Sequence, residues 1–412
     1  MTGNVDTRGV SADIESTYAW TRLGISVLLS TIGGIGMWSF VVALPAVQAD
    51  FGIQRGEASL PFTLTMAGFA LGGVVMGRLA DRFGIVPPSL CGAILLGIGF
   101  VSSGYAPNVL WFALAQGLMG LGTSASFGPL MSDVSHWFTR RRGVAVAVVS
   151  CGNYVAGTIW PPLIEHFIAG SGWRVTQIGI GIGCVISMIP LTLMLRRRAP
   201  MHAAGGGVVS AKQAHGSLGI SPHALMLLLC LAGVGCCVAM AMPQVHIVAY
   251  CGDLGYGPAR GAEMLSAMMG FGIVSRLASG FVADRIGGLA TLLIGSVLQG
   301  VALFLYLWFD SLVSLYVISA LFGLFQGGLV PMYAIIIREY FRPQEAGGRL
   351  GIVLMATLLG MALGGWMSGA IYDLTGSYRA AFLNGIGWNL LNVTIVMWLL
   401  QREGRGRRIA YA

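Results

Sequence analysis

Gly77-Arg78-Leu79-Ala80-Asp81-Arg82-Phe83-Gly84 and Gly280-Phe281-Val282-Ala283-Asp284-Arg285-Ile286-Gly287 read the same way, as G-x-x-A-D-R-x-G. The copies lie 203 residues apart, close to half of the 412-residue chain. The same offset aligns Gly120-Leu121 with Gly323-Leu324, and Phe138 with Phe341. One copy alone would carry little weight. Several matches at one offset, each set between long apolar runs, define an internal duplication of the kind membrane proteins use.

Working outward, charged residues make up 10% of the chain and hydrophobic residues 56%. Soluble domains carry about 25% charge and lack the interior to hide so much apolar surface. A soluble enzyme is therefore excluded. Apolar stretches of about twenty residues recur, the length that crosses ~30 Å of hydrocarbon. The 62 glycines are about twice the usual share, and small residues let membrane helices approach closely. The net charge of +8 does not imply nucleic acid, because the basic residues are scattered among loops. The seven cysteines lack ligand spacing and read as packing residues, with no metal site expected. Gly205-Gly206-Gly207 is not a phosphate-binding loop, since no Gly-Lys-Ser/Thr follows. No cofactor and no enzymatic constellation are expected.

Twelve apolar spans are predicted, near 22–47, 57–80, 86–106, 109–136, 143–167 and 174–195, then 222–250, 261–283, 289–309, 312–338, 348–371 and 379–400. The fold class is an all-α polytopic membrane protein of two pseudo-symmetric six-helix halves, 22–195 and 222–400. A polar linker over 196–221 joins them, with Arg196-Arg197-Arg198 at its start. Residues 1–21 and 401–412 are expected as tails, without a cleavable signal, and Thr2 offers no myristoylation site. Nineteen of the 24 basic residues fall in segments on the side of the termini. Only Arg55, Arg174, Arg260 and Arg379 fall on the other. The positive-inside rule therefore places both termini in the cytoplasm, with a bacterial inner (plasma) membrane as the expected location.

The twelve spans, basic central linker and paired G-x-x-A-D-R-x-G loops resemble the major facilitator superfamily. In that family the motif joins helices two and three, and again eight and nine, as here. The first copy departs after Gly84, where Ile85-Val86-Pro87-Pro88 replaces further basic residues. A narrower resemblance is to monocarboxylate porters and oxalate/formate exchangers. It rests on Trp137-Phe138-Thr139-Arg140-Arg141-Arg142-Gly143 entering the fifth helix, and on Gly33-Gly34-Ile35-Gly36-Met37-Trp38 in the first. Those families carry an eighth-helix arginine that meets the substrate carboxylate, and Arg276 sits correspondingly. They often place an aspartate one turn earlier, where this chain has Gly272.

Arg276 also stands out on physical grounds. It lies eight residues before Asp284, about 12 Å into the membrane at ~1.5 Å per residue. A charge there costs at least ~2.5–3.5 kcal/mol unless paired or wet, and its planar fork matches a carboxylate. A structural salt bridge is the alternative. Tyr333 and Gln326 in the tenth span, and Asn153 and Tyr154 in the fifth, are the other candidate substrate-binding residues. Core packing and helix–helix hydrogen bonds compete for each. His246, near the outer end of the seventh span, is a candidate proton or gate group. Asp81, Arg82, Asp284 and Arg285, with Asp133 against Arg141 or Arg142, are expected as a conformational latch of ion pairs at the cytoplasmic loops. The expected function is secondary active transport of a small organic anion, a monocarboxylate, coupled to protons or to counter-anion exchange. A drug or metabolite exporter, and a non-transporting sensor on a carrier scaffold, are the alternatives.

Overall fold

The computed structural model describes residues 14–197 and 218–410, so most of the linker expected at 196–221 lies outside the described residues. The first span is α1 (Thr17–Gly33) and α2 (Ile35–Phe51), followed by α3 (Arg55–Phe83) and α4 (Val86–Gly104). The fourth is α5 (Val109–Ser124) and α6 (Gly128–Ser135), then come α7 (Arg142–Ser171) and α8 (Trp173–Leu193). The second half runs α9 (Pro222–Asp253), α10 (Pro258–Ile286) and α11 (Gly288–Trp308). Its tenth span is α12 (Leu312–Gln326) and α13 (Leu329–Tyr340), and it ends with α14 (Pro343–Thr375) and α15 (Tyr378–Ala410). Among the described residues, twelve helical spans are long and apolar enough to cross a membrane. The first helix begins at Thr17, five residues before the boundary expected at 22, and the last runs on to Ala410.

Helix is dictated here because hydrocarbon offers no partner for backbone N–H and C=O groups. At the aqueous ends, side chains supply the missing acceptors: Ser16 for the Ala19 N–H, Asn108 for Trp111, Ser221 for Ala224. The two motif copies end their helices identically. Gly84 and Gly287 both adopt φ 86°, closed to most side chains. Their N–H groups bond Ala80 O at 2.8 Å and Ala283 O at 2.9 Å. The breaks in the fourth and tenth spans, at residues 125–127 and at Gly327-Gly328, overlap under the 203-residue offset at one position, Ala125 with Gly328. The break after α1, at Gly34, has no counterpart in the continuous α9.

Each half has its own apolar cluster on the side of the termini, built around Trp137 and Phe138 in one and Leu289 and Ile336 in the other. A third cluster spans both halves on the opposite side, from Phe40 and Phe62 to Val245 and Met268. Across the halves α3 packs on α14, and α7 on α10. The molecule is thus sealed at the face away from the termini, the distal face, and parted at the terminal face.

Candidate functional site

That parting is a cavity of about 2240 Å³. The repeated-motif loop at 80–87, with Thr139, Arg140, Arg142 and residues 195–197, lines its mouth, and Ser150, Arg276 and Leu354 line it within the spans. Among the described residues, eight arginines line it, against two aspartates, Asp81 and Asp133. Asp133 is not free: its carboxylate takes Arg22 Nε at 2.8 Å and Arg22 Nη2 at 2.9 Å. The cavity is therefore strongly electropositive, which raises the local concentration of anions. Val146, Val330, Met332 and Leu350 supply apolar wall.

Arg276 is half-buried on α10 and faces this cavity. Among the described residues no carboxylate pairs with it. Its neighbour is Tyr154 of the other half, whose ring centroid lies 5.0 Å from the guanidinium carbon, within cation–π range. The contact exists because Gly272, one turn before Arg276 on the same face, has no side chain. A Cβ at Gly272 would come within 2.5 Å of the Tyr154 ring. The Tyr154 hydroxyl makes a long hydrogen bond, 3.4 Å, to Gly327 O in the break of the tenth span. Ser275 Oγ accepts the Gly328 N–H at 3.1 Å. Arg276 therefore sits on an aromatic platform beside an interrupted helix, at the wall of the cavity.

Of the five candidate substrate residues, the structure brings together Arg276 and Tyr154 alone. Tyr333 is fully buried and faces away from the cavity. Its hydroxyl points at Asn392 Oδ1, 3.5 Å away, in an intramembrane network where Asn392 also bonds Ser296 and Asn389 bonds Gln299. That is interhelical glue. Gln326 is fully buried, its Oε1 accepting from Gln244 Nε2 at 3.0 Å, while its own Nε2 has no partner. Asn153 faces the first span, its backbone carbonyl accepting from Trp38 Nε1 at 3.2 Å. Matching depth placed these residues at the right level; helix rotation turned them elsewhere.

The expected latch residues stand apart in this structure, which is open on their side. Asp133 pairs with Arg22, not Arg141 or Arg142, in a pair whose side chains are 12% and 1% exposed. Arg22 also reaches Leu195 O and the Tyr18 hydroxyl, and its guanidinium lies over Trp137. Asp81, Arg82, Asp284 and Arg285 are exposed at the open terminal face. They form no ion pair among the described residues, and Arg82 lies over Phe83 instead.

The distal face holds what sequence reasoning missed. Arg55, at the start of α3, crosses to the second half. It bonds both Asp253 oxygens at 3.2 Å and the Tyr378 hydroxyl at 2.6 Å. Asp373 of α14 caps α3 from across the interface, accepting the Arg55 and Gly56 N–H groups at 2.9 and 2.6 Å. His246 stands behind this knot, fully buried. The visible signal was an arginine on a face with only four, beside aspartates at helix ends. The in-half pair Arg174–Asp50, at 2.8 Å, carries the same signal, so spacing alone does not say which arginine crosses.

Two six-helix halves, duplicated in sequence and parted around a central cavity at one face, have the architecture of a membrane carrier. The chain belongs to the Major Facilitator Superfamily, whose profile matches residues 27–312 and again 252–410. It is an integral multi-pass membrane transporter, not an enzyme. It is similar to monocarboxylate transporter 13 of Bos taurus, 27% identical over 84% of this chain and 80% of that protein. It is also similar to the uncharacterized MFS-type transporter YcxA of Bacillus subtilis (strain 168), 26% identical over 87% of this chain and 90% of that one. Among solved structures, the fold matches a bacterial homolog of the human lysosomal transporter Spinster, with TM-score 0.70, 15% identity and 95% and 96% coverage. It likewise matches a mutant of the nucleoside transporter NupG, with TM-score 0.72, 12% identity and 92% and 99% coverage.

Proposed function

We propose that this transporter carries a small monocarboxylate and works by exchange, with Arg276 as the carboxylate clamp. The observation that carries the reading is a guanidinium within the spans, open to a cavity rich in arginine, with no carboxylate partner among the described residues. A carboxylate would take two parallel N–H bonds from Arg276, and the apolar wall would cover a short carbon chain. Monocarboxylate transporters among the relatives support the substrate class. Because lysine is absent from the spans, a single carboxylate is favoured over two.

Exchange follows from what surrounds the arginine. Gly272 offers no carboxylate to hold a proton or to neutralise Arg276 when the site is empty. Closing the empty site would enclose an uncompensated charge, which is costly. A bound anion removes that cost in both directions, so the loaded carrier turns over and the empty one does not. The terminal face, with most of the arginines, is the cytoplasmic face in this reading, and the open cavity faces inward.

The test is uptake of labelled short organic acids into proteoliposomes, with and without unlabelled acid inside, for wild type and Arg276→Gln. Internal acid should stimulate wild-type uptake, and the variant should show none. Equal uptake by both proteins would remove Arg276 from the site. Uptake driven by a proton gradient into empty vesicles would replace exchange with symport.

A further inference from the structure

We infer that the distal gate contains a proton-binding site, His246, and that the gate closes only around the neutral imidazole. A hydrogen-bond chain fixes this. Arg55 Nη1 lies 2.6 Å from the Tyr378 hydroxyl, which lies 3.1 Å from His246 Nδ1. His246 Nε2 lies 2.8 Å from Gly365 O. A guanidinium can only donate and a carbonyl can only accept, so the two end links have fixed directions, and through a neutral ring the chain runs in one sense. Arg55 donates to the phenol, the phenol donates to Nδ1, and Nε2–H donates to Gly365 O. The ring is thereby held as the neutral Nε2–H tautomer.

A second proton reverses the middle link and leaves the phenol's O–H without its acceptor. Nδ1–H would point at a phenolic oxygen that already receives Arg55. The imidazolium would also be fully buried, near the Arg55 guanidinium. The groups facing the ring do not relieve this. From α3 comes Arg55 itself, and from α15 Tyr378. From α14 come Tyr372 and Asp373, the latter spent on the Arg55 and Gly56 N–H groups. On its own helix stand Tyr250 and Asp253, and Asp253 is paired with Arg55. Of the other elements packed on α9, α2 carries one titratable group, Asp50, bonded to Arg174. The distal end of α10 carries Arg260 and Glu263, bonded to each other.

Opening the gate carries Arg55 away with α3 and wets the ring. Imidazole in water titrates between pH 5 and 8. A proton then binds the open gate and not the closed one, so acid at the distal face raises the open population. The proton leaves by the way it came before closure, so it biases the cycle rather than crossing the membrane. With a wetted imidazole titrating near ~6.5, the bias between pH 7.5 and 5.5 is about tenfold. The inference rests on the proposed function only for the compartment that supplies the proton, the outside.

The test uses Ser59→Cys, a position buried against Gly369 across the closed gate. A membrane-impermeant maleimide is added at the distal face of proteoliposomes. Labelling at residue 59 is read by peptide mass spectrometry and normalised to a free cysteine peptide at the same pH. Normalised labelling should rise about tenfold from pH 7.5 to 5.5, stay flat with His246→Gln, and shrink in slope with Tyr378→Phe. Thr63→Cys, whose parent hydroxyl bonds Ala362 O across the halves at 3.2 Å, is the second reporter. A flat profile with His246 present, or an equal rise in His246→Gln, overturns the assignment. So does a rise on acidifying the terminal face alone. No substrate is needed, so Arg276→Gln should keep the pH response even if it has no bearing on transport.

Discussion

Arg276 and Tyr154 meet across the two halves, and the ring is held by what Gly272 lacks. Tyr154→Phe keeps the ring over the guanidinium and loses only the long bond to Gly327 O, so anion affinity should stay near wild type. Tyr154→Ala removes a cation–π contact worth ~0.5–2 kcal/mol, and should raise Kd roughly 2- to 30-fold by equilibrium binding. The buried Arg22–Asp133 pair makes a different prediction. Removing either partner strands a charge, at a cost of ~3–5 kcal/mol. Asp133→Asn or Arg22→Ala should lower the thermal midpoint in detergent markedly, and the double variant should lose less than the two effects summed. Arg276 was legible from sequence, because depth in an apolar span is a local property. Its platform was not, because Tyr154 arrives from another helix in the other half.

At the scale of elements, the repeated motif divides into two kinds of glycine. Gly77 and Gly280 lie inside α3 and α10 with nothing within 4 Å of an added Cβ. Changing either to alanine should leave stability equal or raise it by ~0.5–1 kcal/mol. Gly84 and Gly287 hold φ 86°, and alanine there should destabilise. Gly327 is tighter still, since its Cβ would come within 2.7 Å of the Gly272 Cα. Gly327→Ala should force α12 from α10, at about 1–3 kcal/mol by thermal unfolding. Before α1, the Glu15 carboxylate accepts the Thr139 and Arg141 N–H groups, at 3.3 and 2.9 Å. The bond from the Arg141 N–H is the main cause that holds its carboxyl below the ordinary 4.5. The contribution is therefore present above pH 4.5 and is lost as pH falls through the lowered value. Hydrogen exchange at residues 139–141 should rise in acid for wild type, and already be raised near neutrality in Glu15→Gln.

At the scale of the molecule, the distal seal depends on few cross-half ties, and Asp373 makes two of them to α3. Asp373→Ala should expose the Arg55 and Gly56 amides and speed their hydrogen exchange. The terminal face shows the converse: the motif carboxylates and arginines stand apart where the cavity is open. This is the arrangement expected if their pairing belongs to the state closed on that side.

The twelve spans, the duplication and the position of Arg276 along its span were determined by sequence alone. Apolar length, repeat spacing and depth along a helix are all local quantities that no neighbour alters. Only the tertiary structure decided which polar groups meet. Tyr333 belongs with Asn392 and not Arg276, Asp133 with Arg22, and Arg55 with Asp373, 318 residues away. Those meetings depend on helix rotation and on which half closes over which, and a fraction of a turn separates a cavity-lining side chain from a buried one.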